Sequence, residues 1–339
     1  MTFKTLLFDR TKISQFLVNK QHNILIDTKI SIFLFLFLKF KQNLIFHNIT
    51  MTRNIILLFF CVLGFALKGQ ETAKVYQTFK DTRVINAHST ETLKAGMLDF
   101  RVAHRFGDFA GEGGGWETFF GLENASDIMI GFEYGITNNF MIGLNRAKGS
   151  GPLKQNINGI AKIKFAEQDV DNTIPFSLAI LGIVSASTMP RSRTEGVINF
   201  FEKTAHRFSY HAELITSRKF SNYFSLQISG AWTYRNIVPS SDKNDLVSVG
   251  FASKLQLSKS MGIILDGRLV FSDIRTTATG YYMPLGIGLE WETGGGHIFQ
   301  MNFTNATGIE QTDYIPYTTS NWLDGEYRIG FTIARQFRI

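Results

Sequence analysis

Cysteine is nearly absent: among 339 residues there is one, Cys61, and it falls inside an apolar stretch close to the N-terminus. Everything beyond that stretch therefore lacks disulfides, thiolate metal ligands and a cysteine nucleophile. A charge excess is also missing once location is considered. Of 35 Lys and Arg and 28 Asp and Glu, nine and two lie in residues 1–70, which leaves 26 of each sign in the remainder. That remainder is neutral, whereas nucleic acid or an anionic surface needs cations concentrated in the folded domain. No nucleic-acid partner is expected. A membrane helix is lacking too: the apolar run from Ile55 to Leu67 has 13 residues, and a spanning helix needs about 20.

That run has Arg53 before it and Lys68-Gly69-Gln70-Glu71 after it, the order of a charged n-region, a short h-region and a polar exit. Residues 51–70 read as a signal peptide cleaved near Gly69. Phe60 precedes Cys61 where lipoprotein processing would require a small residue, so lipidation is not expected. Residues 1–50 hold only Asp9 and Asp27 as acids and lead to a second methionine, Met51, with a signal behind it. They read as a misassigned upstream extension.

From Ala95 onward the signal is period-2 alternation over stretches of about ten residues, separated by Gly, Asn, Asp and Ser clusters, which is the pattern of strands. Leu98, Phe100, Val102 and Phe106 share one face, with Asp99, Arg101 and Arg105 on the other. The contrast recurs: Phe224, Leu226, Ile228 and Trp232 oppose Gln227, Ser229, Thr233 and Arg235, and Ile329, Phe331, Ile333 and Phe337 oppose Arg328, Thr332 and Gln336. Counted this way there are 12 strands. Short connections near 136–139, 166–173, 218–222, 258–261 and 293–296 alternate with longer ones, of which 107–126, 186–205 and 305–326 are the longest. Even strand number, short periplasmic turns, long external loops and an apolar face alternating with a polar one are together the signature of an outer-membrane barrel. The expected fold is an all-β, transmembrane, antiparallel up-and-down β-barrel over residues 95–339, with both termini toward the periplasm. A soluble periplasmic β-sandwich also alternates, but it has no use for aromatics near strand ends such as Tyr134, Phe140, Phe165, Trp232, Trp291 and Phe337, which suit a membrane-interface girdle.

Several stretches resemble an uncharacterised outer-membrane β-barrel family of Gram-negative bacteria: Val84-Ile85-Asn86-Ala87-His88-Ser89, Asp99 through Asp108, Gly121-Leu122-Glu123-Asn124-Ala125, Arg235-Asn236-Ile237-Val238-Pro239, and Glu292 to Asn305. The resemblance spans most of residues 80–339. It implies a barrel in the outer membrane, in contact with outer-membrane lipid and inserted by the barrel-insertion machinery, and it implies no substrate or active site.

The inward face is expected to carry Asp99, Arg101, Arg105, Glu133, Lys162, Lys164, Glu213, Asp266, Arg268, Glu290, Arg328 and Arg338 as lumen-lining charges. Opposite signs one strand apart, Asp99 and Arg101 against Glu133 and Asp266 and Arg268 against Glu290, point to ion pairs that brace and partly close the lumen. The alternative is a path for a small polar solute, though a strongly selective pore would show one sign in excess. Twelve strands enclose less than the 16 to 18 of aqueous porins, so any path is narrow. Residues 71–94 alternate poorly, and the apolar pair Val84-Ile85 reads as part of a periplasmic segment tucked into the barrel mouth.

Chemistry of other kinds finds little support. Ser209 and His211 share a face and invite comparison with a barrel-embedded lipid hydrolase, but a nucleophile also needs a group orienting the histidine and donors for an oxyanion. No enzyme activity is expected. His88, His104, His206 and His297 lack the paired spacing of a metal site, and Gly111 to Gly115 is followed by no Gly-Lys-Ser/Thr phosphate cradle. No cofactor is expected. A docking or adhesion role would place binding on the loops 107–126, 186–205 and 305–326.

Overall fold

Twelve stretches with one apolar and one polar face can each satisfy only one face against lipid, and on a strand the two sets point to opposite sides. The protein, a computed structural model that describes residues 73–339, meets this constraint by rolling the strands into a closed cylinder. The upstream extension expected at 1–50 and the signal peptide expected at 51–70 lie outside the described residues. A small hairpin comes first, β1 (Arg83–Val84) with β2 (Ala87–His88). The wall follows as β3 (Met97–Phe106), β4 (Ala125–Thr137), β5 (Phe140–Ala147), β6 (Asn156–Ala166), β7 (Ser177–Ser187) and β8 (Phe208–Lys219). It continues as β9 (Phe224–Arg235), β10 (Asp245–Gln256), β11 (Met261–Phe271), β12 (Leu285–Glu292), β13 (His297–Thr304) and β14 (Arg328–Arg338).

Every wall strand pairs antiparallel with its neighbours in sequence, and β14 closes on β3 from Gly330 opposite Arg105 to Arg338 opposite Met97. Closure leaves no strand edge and pairs the strand backbone where a bilayer offers no water. The expected 12-stranded up-and-down barrel is the fold observed. Among the described residues no helix is long and apolar enough to cross a membrane, so crossing falls to the strands.

Connections 138–139, 220–223, 257–260 and 293–296 gather at one end together with the longer 167–176. Those at 107–124, 148–155, 188–207, 236–244, 272–284 and 305–327 gather at the other. Outward residues such as Ile130, Phe132, Leu144, Ile228, Leu269 and Met301 are exposed, while the alternate positions are buried and mostly polar. Part of the inward face is apolar: Ile160, Leu181, Ile183 and Ile215 form a buried cluster across β6, β7 and β8.

A cylinder of this width is too wide for its own side chains to fill, and two stretches of backbone occupy it. Residues 78–90 enter from the short-turn end and are buried throughout. Their apolar members Phe79, Val84, Ile85 and Ala87 pack on Ala252 and Ile264 of the wall. From the opposite end the β13–β14 loop folds inward and forms the short helix α1 (Gln311–Tyr317), buried from Gln311 to Pro316. Ala306, Tyr314 and Ile315 make its apolar anchor, with Val270 against them.

Because the outward face meets hydrocarbon, a charge placed there should be costly. Leu144→Arg, on a side chain 61% exposed near the middle of β5, is expected to destabilise the barrel by about 2–4 kcal/mol if its depth is near the bilayer midplane. Urea unfolding in lipid vesicles measures this, and an unchanged midpoint would argue against a lipid-facing wall.

Candidate functional site

The interior polar network starts from a conflict in the wall. Asp99 on β3 stands directly opposite Glu133 on β4, and like charges in register repel. Cations from two sources relieve it. Arg101, two residues along β3, donates to Asp99 at 2.9 Å and to both oxygens of Asp81 in the N-terminal segment at 2.7 and 2.5 Å. Glu133 instead accepts from Thr82 Oγ1 at 2.8 Å and Arg83 Nε at 3.3 Å, both in that segment.

The strand-to-strand pairing expected from the sequence is therefore corrected. Arg101 is in register with Gly131 rather than Glu133, and its guanidinium extends to the inserted chain. Likewise Arg268 does not pair with Glu290. It crosses over β10 and β9 to Glu213 on β8, touching Ser248 and Ser229 on the way. The route exists because Gly250 lies opposite Arg268, where a Cβ would come within 2.8 Å of Arg268 Nη2. Glu290 is left to Lys254 at 3.3 Å and to Gln300.

Most of the remaining charges also serve the inserts. Lys162 donates to three backbone carbonyls of the N-terminal segment, Thr82 at 2.9 Å, Ser89 at 3.1 Å and Glu91 at 2.9 Å. Asp266 accepts from the Asn86 amide N–H and the Ala87 N–H at 2.7 Å each, and from Asn86 Nδ2 at 2.8 Å. Asp266 thereby clamps the hairpin turn, where Ile85 has φ of 50°, a left-handed position that disfavours a β-branched residue. Arg105 joins the two inserts, donating to Asn86 Oδ1 at 2.5 Å and to the carbonyls of Ala306 and Gly308. Arg328 holds the Asn305 carbonyl at 2.9 Å, and Lys164 pairs with Glu167 at 2.6 Å. Arg338, expected inward, is exposed at the rim where β14 ends.

The inserts meet inside the lumen. Arg83 Nη1 donates to Glu310 Oε1 at 2.9 Å, and Gln311 Nε2 donates to the Asn86 carbonyl at 3.2 Å. Asp313 fastens α1 to the wall by accepting from Ser150 N at 2.8 Å and Gly151 N at 2.7 Å. At the rim above, Asp242 in the β9–β10 loop takes Arg275 at 2.6 Å and Arg235 at 2.9 Å. Burial pushes the Asp242 carboxyl up, but the hydrogen bonds from these arginines outweigh burial and hold it below the usual carboxylate range.

Little open space is left. A crevice between α1 and the wall, bordered by Ser185, Ser209, Thr312 and Tyr317, has a cavity volume of about 10 Å³, room for about one water. Ser209 and His211 are both buried, but the imidazole is engaged on both sides, by Thr233 Oγ1 at 2.9 Å and Glu213 Oε2 at 3.0 Å. Neither ring nitrogen is turned to Ser209.

Sequence reasoning found the wall charges but missed their partners. Asp81, Thr82, Arg83 and Asn86 lie in a segment without strand periodicity, and Glu310, Gln311 and Asp313 lie in what reads as an external loop. The one available signal was Val84-Ile85, an apolar pair in a polar stretch that needs cover.

A closed, lipid-faced cylinder of strands has a counterpart among known families. Residues 79–337 match the family described as a membrane bound beta barrel domain (DUF5777). The chain belongs to this family. Its barrel is an outer-membrane barrel by fold, wall pattern and family together. No curated protein matches the chain. Among solved structures, a NanC porin is similar at 8% identity, covering 71% of this chain and 99% of its own, with a TM-score of 0.42. A KdgM porin in complex with disordered oligogalacturonate is similar at 7% identity over 72% and 99% with the same score. An outer membrane channel from Pseudomonas putida F1 is similar at 12% identity over 73% and 98%, again at 0.42.

Within this DUF5777 barrel, Arg101 is the pivot between wall and insert. Arg101→Ala would leave the buried carboxylates of Asp81 and Asp99 without their cation, at a cost of about 3–5 kcal/mol. The expected result is a lower temperature at which the unboiled gel band converts to the unfolded one, with much of the loss recovered by adding Asp81→Asn and Asp99→Asn. An unchanged temperature in the single variant would contradict the role assigned to this network.

Proposed function

We propose that this barrel is a gated conduit for a small polar solute, with the N-terminal segment and the α1 loop as the two leaves of its gate. The observation that supports it best is that many of the wall's charges are bonded to the inserted chain, alongside the wall-to-wall pairs Arg268–Glu213 and Lys254–Glu290. Arg101, Arg105, Glu133, Lys162 and Asp266 all spend hydrogen bonds on residues 81–91. Such bonds exchange for water at a net of only about 0.5–1.5 kcal/mol each. A wall bonded this way is hydrated when the insert withdraws, whereas an apolar interior would not be.

The solute class follows from the sign balance. Six buried carboxylates of the wall strands, Asp99, Asp127, Glu133, Glu213, Asp266 and Glu290, stand with eight cations, Arg101, Arg105, Lys162, Lys164, Arg235, Lys254, Arg268 and Arg328, so both signs are present around the wall. No ring of one sign selects for an ion, so the cargo is neutral or zwitterionic. Export by the signal peptide at 51–70, uptake by the barrel-insertion machinery and residence among outer-membrane lipids belong to the same reading. It includes no catalytic step.

Excising residues 78–90 tests the reading. The ends of that stretch lie together, with Thr78 N donating to Glu91 Oε1 at 2.8 Å, so the excision joins neighbouring points. In planar bilayers the intact protein is expected to show no steady conductance and the shortened one to show discrete open steps. Glu310→Gln, which weakens the hold on Arg83, is expected to give brief openings. A shortened protein that is folded on a gel but electrically silent would refute the conduit.

A further inference from the structure

The loop between β3 and β4 carries a group of apolar side chains that the lumen does not use. Trp116 is 74% exposed, Phe119 50% and Phe120 36%, with Leu122 beside them. A surface in water rarely presents aromatics so closely grouped. The loop is tightly built. Gly107 N donates to the Gly121 carbonyl at 2.9 Å and Phe120 N to the Gly115 carbonyl at 2.7 Å. At Gly121 a Cβ would come within 2.4 Å of the Asp108 carbonyl oxygen. Phe119 and Phe120 both adopt left-handed backbone, φ 48° and 56°, where glycine would be at ease and aromatics are not. A strained turn that holds two rings outward calls for a functional explanation.

What covers these rings follows from what they are joined to. Phe303 lies on the lipid face at the external end of β13. Phe109 packs edge-on against it at 5.6 Å between ring centres, Phe120 packs on Phe109 at 5.2 Å, and Trp116 lies 6.1 Å from Phe120 and 5.9 Å from Phe119. A second branch leaves the same point. Tyr327 stacks on Phe109 at 5.4 Å and Trp322 on Tyr327 at 4.8 Å, next to Leu323, which is 92% exposed. The rings are thus continuous with the lipid-facing wall at the β14–β3 seam.

We propose that this loop, with the Trp322–Asp324 turn, lies on the outer leaflet of the membrane and buries Trp116, Phe119 and Leu323 at the level of the lipid headgroups. Its partner is the lipid surface itself, in the manner of an interfacial segment attached to a spanning one. Residues 107–124 hold Asp108, Glu112, Glu117 and Glu123 and no basic residue. Attraction to anionic headgroups therefore plays no part, and attachment rests on apolar burial, which added salt does not weaken.

The test uses the full chain in phosphatidylcholine vesicles, with Trp232, Trp291 and Trp322 changed to Phe so that Trp116 alone emits. Brominated acyl chains in those vesicles are expected to reduce its emission at least twofold, aqueous iodide to have little effect, and molar salt to change neither result. If removing the other tryptophans prevents folding, the comparison of wild type with Trp116→Phe gives the same information, since the brominated-lipid quenching lost in Trp116→Phe is that residue's share. Emission untouched by brominated lipid and quenched by iodide would overturn the proposal and leave the rings free for a protein partner.

Discussion

A barrel of twelve strands whose inner face is charged has one requirement above all: buried charges that the wall strands do not themselves neutralise need a partner from elsewhere in the chain. Asp99 and Glu133 oppose each other directly, and unpaired charge in a dry interior is among the most costly defects a protein can hold. The chain answers by threading its own backbone through the cylinder. Asp81 and Arg83 arrive as the counter-charges of Arg101 and Glu133, and Glu310 arrives from the other end to meet Arg83. The filled lumen, the strained turn at Ile85 and the helix inside a loop all follow from that requirement.

The wall was legible in the sequence because its signal is local. Period-2 alternation, turn clusters and aromatic strand ends each act within ten residues, and the twelve strands emerge with the expected topology, the first beginning at Met97 rather than Ala95. Eleven of the twelve inward charges named from periodicity are buried, and Arg338 alone among them is exposed at the rim. Their partners were not legible, because a contact such as Arg83 with Glu310 joins positions 227 apart and carries no periodic trace. The pairing of Arg268 with Glu290 failed for a related reason. Sequence proximity of strands says nothing of a long guanidinium that can pass over Gly250 toward Glu213.

The two inserts come from opposite ends of the barrel and touch, which makes the interior a single bonded unit. Arg105 contacts both, holding Asn86 of the hairpin and the Ala306 carbonyl of the α1 loop. Displacing either insert leaves Arg105 and the Arg83–Glu310 pair incomplete, so loosening one weakens the hold on the other. The long-loop end of the barrel is in this way bonded through the lumen to the end from which the N-terminal segment enters.

The central claim is that the N-terminal hairpin is seated inside a sealed lumen, and solvent access to Val84 tests it most directly. Val84 is fully buried at the tip of that hairpin, and the chain's one native cysteine, Cys61, is easily changed to serine. A Val84→Cys protein folded in vesicles is predicted to resist a small water-soluble thiol reagent until it is denatured, while Thr194→Cys in the exposed 188–207 loop reacts at once. Rapid reaction at position 84 in the folded barrel would contradict the account.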